Sequence, residues 1–384
     1  MENQIMTKKT KKQKINLTCF IILLGVALFL FLILKKPIVT YEYYINEKPT
    51  IIPGQNFVGY DCPNDVKVEY DITNNRYKAS NVKKNTVCKL YFEDNIYDEI
   101  NLLANSSNDN IIEDNKIIKS SFEEALYYGV DAKNYVYFNC DDYTKQSSDT
   151  CEVWRIMKTE NINHEKPVVK LIRDNKLSVF DKTTNTNLAK FSWHYTKDIN
   201  ELEFIESDIY DLLNQGYLES DNNYEYVDNT SNIHYLDFSK SGIKNKATKN
   251  MLVTTDFRVA RESYINATAG QWVRNEATGS SMMLEIGLPT ISDYVSSIGK
   301  VCEDIKINSF AECTGKSYIN ITDSIWTLNV SSYDKTTVYR VSNQKTISPV
   351  YPTLEYEVYP TLYIDGNLKI VGGDGSKDRP YQLI

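Results

Sequence analysis

Residues Ile15 to Leu34 read INLTCFIILLGVALFLFLIL, twenty positions without a charge and with only Asn16 and Thr18 as polar interruptions. At about 1.5 Å of rise per residue, a helix of that length spans about 30 Å, the thickness of a bilayer's hydrocarbon core. The run therefore predicts a single transmembrane helix over 15–34, with everything after it on one side of a membrane. Lys8, Lys9, Lys11, Lys12 and Lys14 precede it and only Lys35 and Lys36 follow. Flanking lysines bias orientation to positive-inside, so residues 1–14 read as a cytoplasmic basic tail and the rest as exported. A cleaved signal peptide would carry a shorter apolar core of about 7–15 residues and a small-x-small cleavage site. Lys35-Lys36-Pro37 stands in that place. Cys19 lies near the start of the run, not at its end where a lipoprotein signal needs its cysteine, and reads as a lipid-facing or packed residue.

The charge balance narrows the partners. The chain carries −8 at neutral pH, and residues 1–36 hold seven lysines against Glu2, a net +6, which leaves −14 on the remainder. An acidic ectodomain of this kind excludes nucleic acid and anionic membrane surfaces as partners, since both reward clustered Lys and Arg.

Six cysteines lie in the exported part as three sequence-local couples: Cys62 with Cys88, Cys140 with Cys151, and Cys302 with Cys313. An even count in an oxidising compartment predicts a disulfide framework, with the pairing inferred from proximity among the about 15 connectivities that six cysteines allow. A metal centre is the competing reading. No couple has the C-x₂-C spacing, only His164, His194 and His234 are present to assist, and no metal or cofactor site is expected.

Along the chain, residues 37–104 alternate β-branched and aromatic residues with polar ones, as in Val66-Lys67-Val68-Glu69-Tyr70, and predict a small β module clipped by Cys62 and Cys88. The polar stretch Asn105 to Asn110 opens a linker over 105–119. A larger domain over 120–384 begins with a short helix from Ser121, whose capping-box partner is Glu124, closed at Gly129. Strands are expected at 134–138, 153–157 and 167–172, a Ser207-capped helix ends at Gly216, and 221–250 reads as a long polar loop insertion. A helix starts near Ser292-Asp293-Tyr294, and strands return at 324–328, 337–341, 359–364 and 368–371. The expected class is α+β with long loops.

The ordered motifs NYVYFNC (134–140), CEVWRIMK (151–158), VVKLIRD (168–174), IYDLLNQGYL (209–218), IGLPTISDY (286–294), SIWTLN (324–329), VYPTLYI (358–364) and GGDGSKDRPYQL (372–383) resemble a family of uncharacterised exported bacterial proteins. The end of that pattern is similar to domains with a C-type-lectin-like or formylglycine-generating-enzyme-like fold. The resemblance covers residues 120–384 and implies a C-type-lectin-like domain there. Sugar-binding C-type lectins hold Ca²⁺ with an E-P-N or Q-P-D loop and a W-N-D strand. Neither tripeptide occurs, and the corresponding strand reads Trp326-Thr327-Leu328-Asn329. Formylglycine-generating enzymes use a reactive cysteine pair late in the domain, and no cysteine follows Cys313.

No catalytic constellation stands out. The three histidines sit in polar or aromatic contexts, and the chain lacks H-E-x-x-H, G-x-S-x-G and a P-loop. With 51 Asp and Glu, a carboxylate pair picked from sequence would be arbitrary. Gly372 to Asp378 lacks the twelve-position calcium ligand pattern and reads as a glycine-rich turn. Trp154 and Trp326 lie in apolar runs and read as core, whereas Trp272, in Ala269-Gly270-Gln271-Trp272, stands out as a ligand contact. The expectation is a membrane-anchored surface module that binds a protein or glycan ligand, with a cell-envelope hydrolase or polymer modifier as the alternative.

Overall fold

Alternation in residues 39–92 is realised as six strands: β1 (Val39–Ile45), β2 (Ile51–Ile52), β3 (Phe57–Asp61), β4 (Lys67–Asp71), β5 (Arg76–Ser80) and β6 (Thr86–Phe92). They form two antiparallel sheets, ordered β1-β6-β3 and β2-β5-β4, with Tyr43 opposite Cys88 and Asp61 opposite Lys89. The computed structural model describes these strands together with residues 95–107, 116–120, 124–162, 166–196, 201–259, 266–331 and 334–384. The chain divides into two units, Met1–Asp94 and Asn95–Ile384.

The larger unit opens with α1 (Ile96–Ser107), capped where the Asn95 carboxamide oxygen accepts from the Asp98 amide at 2.8 Å. Ile96, Ile100 and Ala104, spaced four apart, form one fully buried face. The central sheet is antiparallel, in the order β19 (Ile286–Gly287), β24 (Thr361–Asp365), β11 (Lys166–Arg173), β10 (Glu152–Ile162), β8 (Ala125–Tyr127), β7 (Ile117–Lys119), and β9 (Tyr135–Phe138) pairs a second stretch of β10. Residues 168–172 of β11 are buried without interruption, so both faces of the sheet are covered there. Between Ile156 and Lys158 the β10–β11 register shifts by one residue, a bulge that places Lys158 directly opposite Lys170.

Smaller sheets surround this one. β12 (Val179–Asp181), β13 (Thr186–Leu188), β15 (Tyr224–Val227) and β16 (Ile233–Asp237) make a four-stranded sheet, and β14 (Phe191–Ser192) pairs β23 (Glu355–Tyr356). β17 (Thr255–Val259) pairs β18 (Ser280–Leu284), β20 (Ser324–Val330) to β22 (Ile347–Val350) flank β21 (Val338–Ser342), and β25 (Ile370–Gly372) pairs β26 (Gln382–Leu383). The helices are short: α2 (Asp208–Asp211, running on as a π-helical turn over Leu212–Tyr217), α3 (Lys246–Met251), α4 (Ala269–Ala277) and α5 (Ile291–Ser296). Trp154, Trp193, Trp272 and Trp326 anchor the core, each at most 1% exposed.

The architecture corrects the expected class. Strand is 35% and helix 20%, so the larger unit is sheet-rich rather than an α+β lectin-like domain. Among the described residues no helix is long and apolar enough to cross a membrane, and the 15–34 run lies outside them. The helix expected from Ser121 to Gly129 is in part strand β8, because Ala125 and Tyr127 bury alternately. The presumed loop at 221–250 holds the β15–β16 hairpin and α3. The unit boundary falls at Asp94, ahead of the expected linker at 105–119, because α1 packs into the larger core.

Candidate functional site

A row of polar side chains crosses the otherwise apolar central sheet. Lys158 on β10 lies opposite Lys170 on β11, which lies opposite Tyr363 on β24. Two ammonium groups facing each other across a ladder repel, and each is neutralised by a carboxylate. Lys158 pairs with Glu160 at 2.5 Å, and the Tyr363 hydroxyl donates to the same Glu160 at 2.8 Å. Lys170 donates to Asp293 Oδ2 at 2.7 Å, with both side chains only 3% exposed.

Asp293 is placed by the start of α5. Thr290 caps that helix by accepting from the Asp293 amide at 3.1 Å, while Asp293 Oδ2 accepts from the Thr290 amide at 2.9 Å. The same Thr290 hydroxyl donates to Glu276 Oε1 at 2.6 Å, which ties α5 to the end of α4. Helix α4 is set by its own capping box, Thr268 with Gln271, and its Gly270 and Glu276 face the same space as α5.

That space is a cavity of about 310 Å³. Its inner wall carries Glu124, Lys158, Glu276, Ser292 and Asp293, and its rim carries the exposed Arg258, Arg274, Lys300 and Glu303. Leu126, Met157, Val273 and Val295 add apolar surface to the lining, and Ser120, Ser296 and Ser297 add further polar residues. Glu276 Oε2 and Ser292 Oγ are buried without a hydrogen-bond partner among the described residues. Such unpaired groups cost about 1–3 kcal/mol each and are rare in folded proteins.

The carboxyls of this wall are driven apart. Burial, reinforced by the Asp293 charge, pushes Glu276 up to about 7. Burial would raise Asp293 too, but Lys170 and then Lys158 more than reverse it and hold the carboxyl below its usual range. Glu124 is raised by burial, with Lys158 only partly offsetting it. Burial alone would lower the Lys158 ammonium, yet Glu124 and Glu160 lift it well above its usual value. One wall thus holds a firmly ionised carboxylate beside a carboxyl that takes a proton near neutrality, a division able to support proton transfer.

The disulfides Cys140–Cys151 and Cys302–Cys313 are formed, at S–S distances of 2.02 and 2.07 Å, as an extracellular or secreted domain allows. Cys302 lies in the cavity wall, so the second bridge braces it. The Cys62–Cys88 couple includes Cys62, outside the described residues. Trp272 is 1% exposed, packs edge-on against Tyr339 at 5.5 Å and does not line the cavity; it anchors the helix that does. His164 lies outside the described residues, and His194 stacks on Tyr195 at 5.1 Å. His234 is clamped between Asp181 at 2.8 Å and Asp228 at 3.2 Å. The 372–378 stretch is a turn with Gly373 and Gly375 at φ of 83° and 73°, where the Asp374 carboxylate accepts from the Ser376 amide. No group of metal-ligating side chains suited to an ion occurs among the described residues.

No protein-family model, curated protein or solved structure matches the chain.

Sequence reasoning singled out none of the wall residues as a site. For Lys158 and Lys170 a signal was present, because a lysine inside WRIMK or VVKLIR breaks an apolar strand and demands a buried partner. Glu276 gave none. It follows Arg274 and Asn275, and nothing in that polar run marks one of the three as buried.

Proposed function

We propose that this is an exported surface protein whose sheet-rich larger unit binds a small polar ligand in the cavity between α4, α5 and the β8–β10 edge of the central sheet. Attachment to the membrane through residues 15–34 is part of the same reading and rests on the lysine asymmetry around that run. The observation that carries the binding role is the pair of buried, unpartnered oxygens on Glu276 and Ser292 in the cavity wall. A ligand that satisfies them recovers the desolvation cost they now impose. The cavity sits at the lower end of the range for small-molecule sites, about 300–1,000 Å³, which favours a compact ligand over a long glycan or a folded protein.

The test is a thermal-shift screen of the purified full chain against a library of small amines, amino acids, sugars, carboxylates and nucleosides. At about 100 times its Kd, a ligand adds about 2.7 kcal/mol, several degrees of melting temperature for a unit of this size. The expected result is stabilisation by at least one class, abolished by the cavity-filling variant Val273→Trp. A library with no stabilising member would remove the binding role.

A second reading has its own support. The split between Glu276 and Asp293 suits a general acid beside an ionised carboxylate, as in a cell-envelope hydrolase of surface polymers. Turnover of fluorogenic glycosides or esters by the wild type, lost in Glu276→Gln, would favour it over binding alone.

A further inference from the structure

The charges behind the cavity wall do not balance. Four carboxyls, on Glu124, Glu160, Glu276 and Asp293, surround two ammonium groups, on Lys158 and Lys170. Glu160 and Asp293 each hold one lysine in a close ion pair. Glu124 shares Lys158 at longer range, and Glu276 has no cation of its own within ion-pair distance among the described residues. The rim is of the opposite sign, with Arg258, Arg274 and Lys300 against Glu303.

We infer that the cavity takes a free amino acid or an amino-acid-sized zwitterion, its ammonium on Glu276 Oε2, Ser292 Oγ and the Glu124 carboxylate, and its carboxylate at the basic rim. This rests on the binding role proposed above and names its ligand class. An ammonium brings three N–H donors and no acceptor, which suits the unpaired Glu276 Oε2 and Ser292 Oγ, both able to accept. Arg258, steadied by donating to the Ala277 carbonyl at 3.0 Å, and Arg274 one turn back on α4 offer planar donors of the kind that hold carboxylates. Between the two ends, Ile118, Leu126, Met157 and Val273 provide an apolar wall for an aliphatic side chain.

The same arrangement couples binding to a proton. The groups facing Glu276 are Thr290 and Asp293 at the start of α5, Lys170 on β11 and Lys158 on β10. Without ligand, the Glu276 carboxyl shares the excess negative charge by holding a proton part of the time at neutral pH. When the ligand ammonium docks, the carboxyl O–H releases its proton to solvent and the carboxylate accepts from the ammonium. Charge and protons balance: a zwitterion of no net charge enters, up to one proton leaves, and the neutral carboxyl becomes a carboxylate. Affinity therefore rises with pH below about 7, by up to about tenfold per pH unit, and levels off above it.

The experiment uses the purified full chain. The twenty common L-amino acids are screened by thermal shift, and the best is titrated calorimetrically in two buffers of different ionisation enthalpy. Its N-acetyl derivative and Glu276→Gln are then measured. The expected results are micromolar to low-millimolar binding of at least one amino acid, release of a fraction of a proton at pH 7, and at least 100-fold weaker binding of the N-acetyl form. Glu276→Gln should weaken binding at least tenfold and abolish proton release. If no amino acid binds while another class from the library does so in a Val273-dependent manner, the binding role stands and this inference falls. If nothing binds, both fall. Equal binding of the N-acetyl form, measured on the wild type and so independent of any folding defect in the variant, overturns the ammonium assignment.

Discussion

Two polar clusters are built into the larger unit, and they differ in how completely they are satisfied. Around His234 every group has its partners. Asp181 accepts from the Thr183 amide at 2.8 Å, the Thr184 hydroxyl at 2.6 Å and the His234 ring. Asp228 accepts from the Thr230 amide and hydroxyl, the Asn232 amide and side chain, and the other ring nitrogen. This cluster closes on itself and joins β12 to the β15–β16 hairpin. Around the cavity, Glu276 Oε2 and Ser292 Oγ are left over and the carboxyls outnumber the lysines. Both clusters have a histidine or lysine between acids, so residue types alone do not separate them. Leftover hydrogen-bonding capacity beside an open volume does, and it marks the cavity wall as the place built for something else.

The largest effect expected on this contrast is at the buried pair. Lys170→Met strands Asp293 beside the cavity with no close cation, and removal of one partner of a buried ion pair costs about 3–5 kcal/mol. Denaturant unfolding should show that loss. The double variant Lys170→Met with Asp293→Asn should recover a good part of it, because no buried charge is left unpaired. If the single variant is within 0.5 kcal/mol of wild type, roughly the scatter of a surface change, the pair is solvated and the cavity wall is not a dry environment.

The second effect is a pH dependence that belongs to Glu276. Its folded value, about 7, lies above the ordinary 4.5. A group raised on folding contributes stability that is fully present below its unfolded value and is lost as pH rises through the folded one. Between pH 4.5 and 7 that loss amounts to about 3 kcal/mol, at about 1.4 kcal/mol per pH unit. Glu276→Gln should flatten the curve in this window and make the protein more stable than wild type at pH 8. A wild-type curve already flat from pH 5 to 8 would place the carboxyl in water.

The disulfides sharpen the comparison at a smaller scale. Each bridge joins residues 11 apart in sequence, and chain-entropy estimates for such loops give about 2–3 kcal/mol. Replacing Cys140 and Cys151 by Ser should lower stability alone. The same change at Cys302 and Cys313 should lower stability similarly and also weaken ligand binding, because Cys302 is part of the wall. Equal ligand affinity in the two double variants would mean that the wall does not depend on its bridge.

These contrasts also separate what the sequence makes legible from what it hides. Strands β9, β10, β11, β20, β21 and β24 announce themselves because buried faces demand runs such as VVKLI and SIWTL. The Ser207 cap is equally readable, since the residue type states the geometry, whereas α5 is capped at Thr290, ahead of the start expected near Ser292-Asp293-Tyr294. The β15–β16 hairpin is hidden because only Tyr226 and Leu236 on it are fully buried, so its sequence is as polar as a loop. Helix α1 carries a clean four-residue spacing in Ile96, Ile100 and Ala104, obscured by the polar residues that follow from Asn105. Lys158, Lys170 and Asp293 are visible as charges in apolar or capped surroundings, whereas their convergence with Glu276 needs tertiary contacts: Lys170 reaches Asp293 across 123 residues of sequence, and Thr290 then ties in Glu276.

The smallest effect lies in the satisfied cluster. Burial works against the charged His234 ring, but its hydrogen bonds to Asp181 and Asp228 outweigh that and raise it above the ordinary 6.5. By the same sign rule as for Glu276, this contribution is complete below about 6.5 and fades as pH rises through the higher folded value. The two clusters thus lose stability with rising pH in successive windows, Glu276 up to about 7 and His234 above 6.5. Asp181, held down to about 2 against burial by its hydrogen bonds from Thr184 and His234, acts in the opposite direction and is lost only in acid. His234→Gln should cost about 1 kcal/mol at pH 6, with the difference from wild type shrinking by pH 9. Ligand affinity should not change, because every hydrogen bond of His234 points into the β12–β16 region and none into the cavity. A His234 variant that lost binding while keeping its fold would show that the closed cluster and the open one act as a single site.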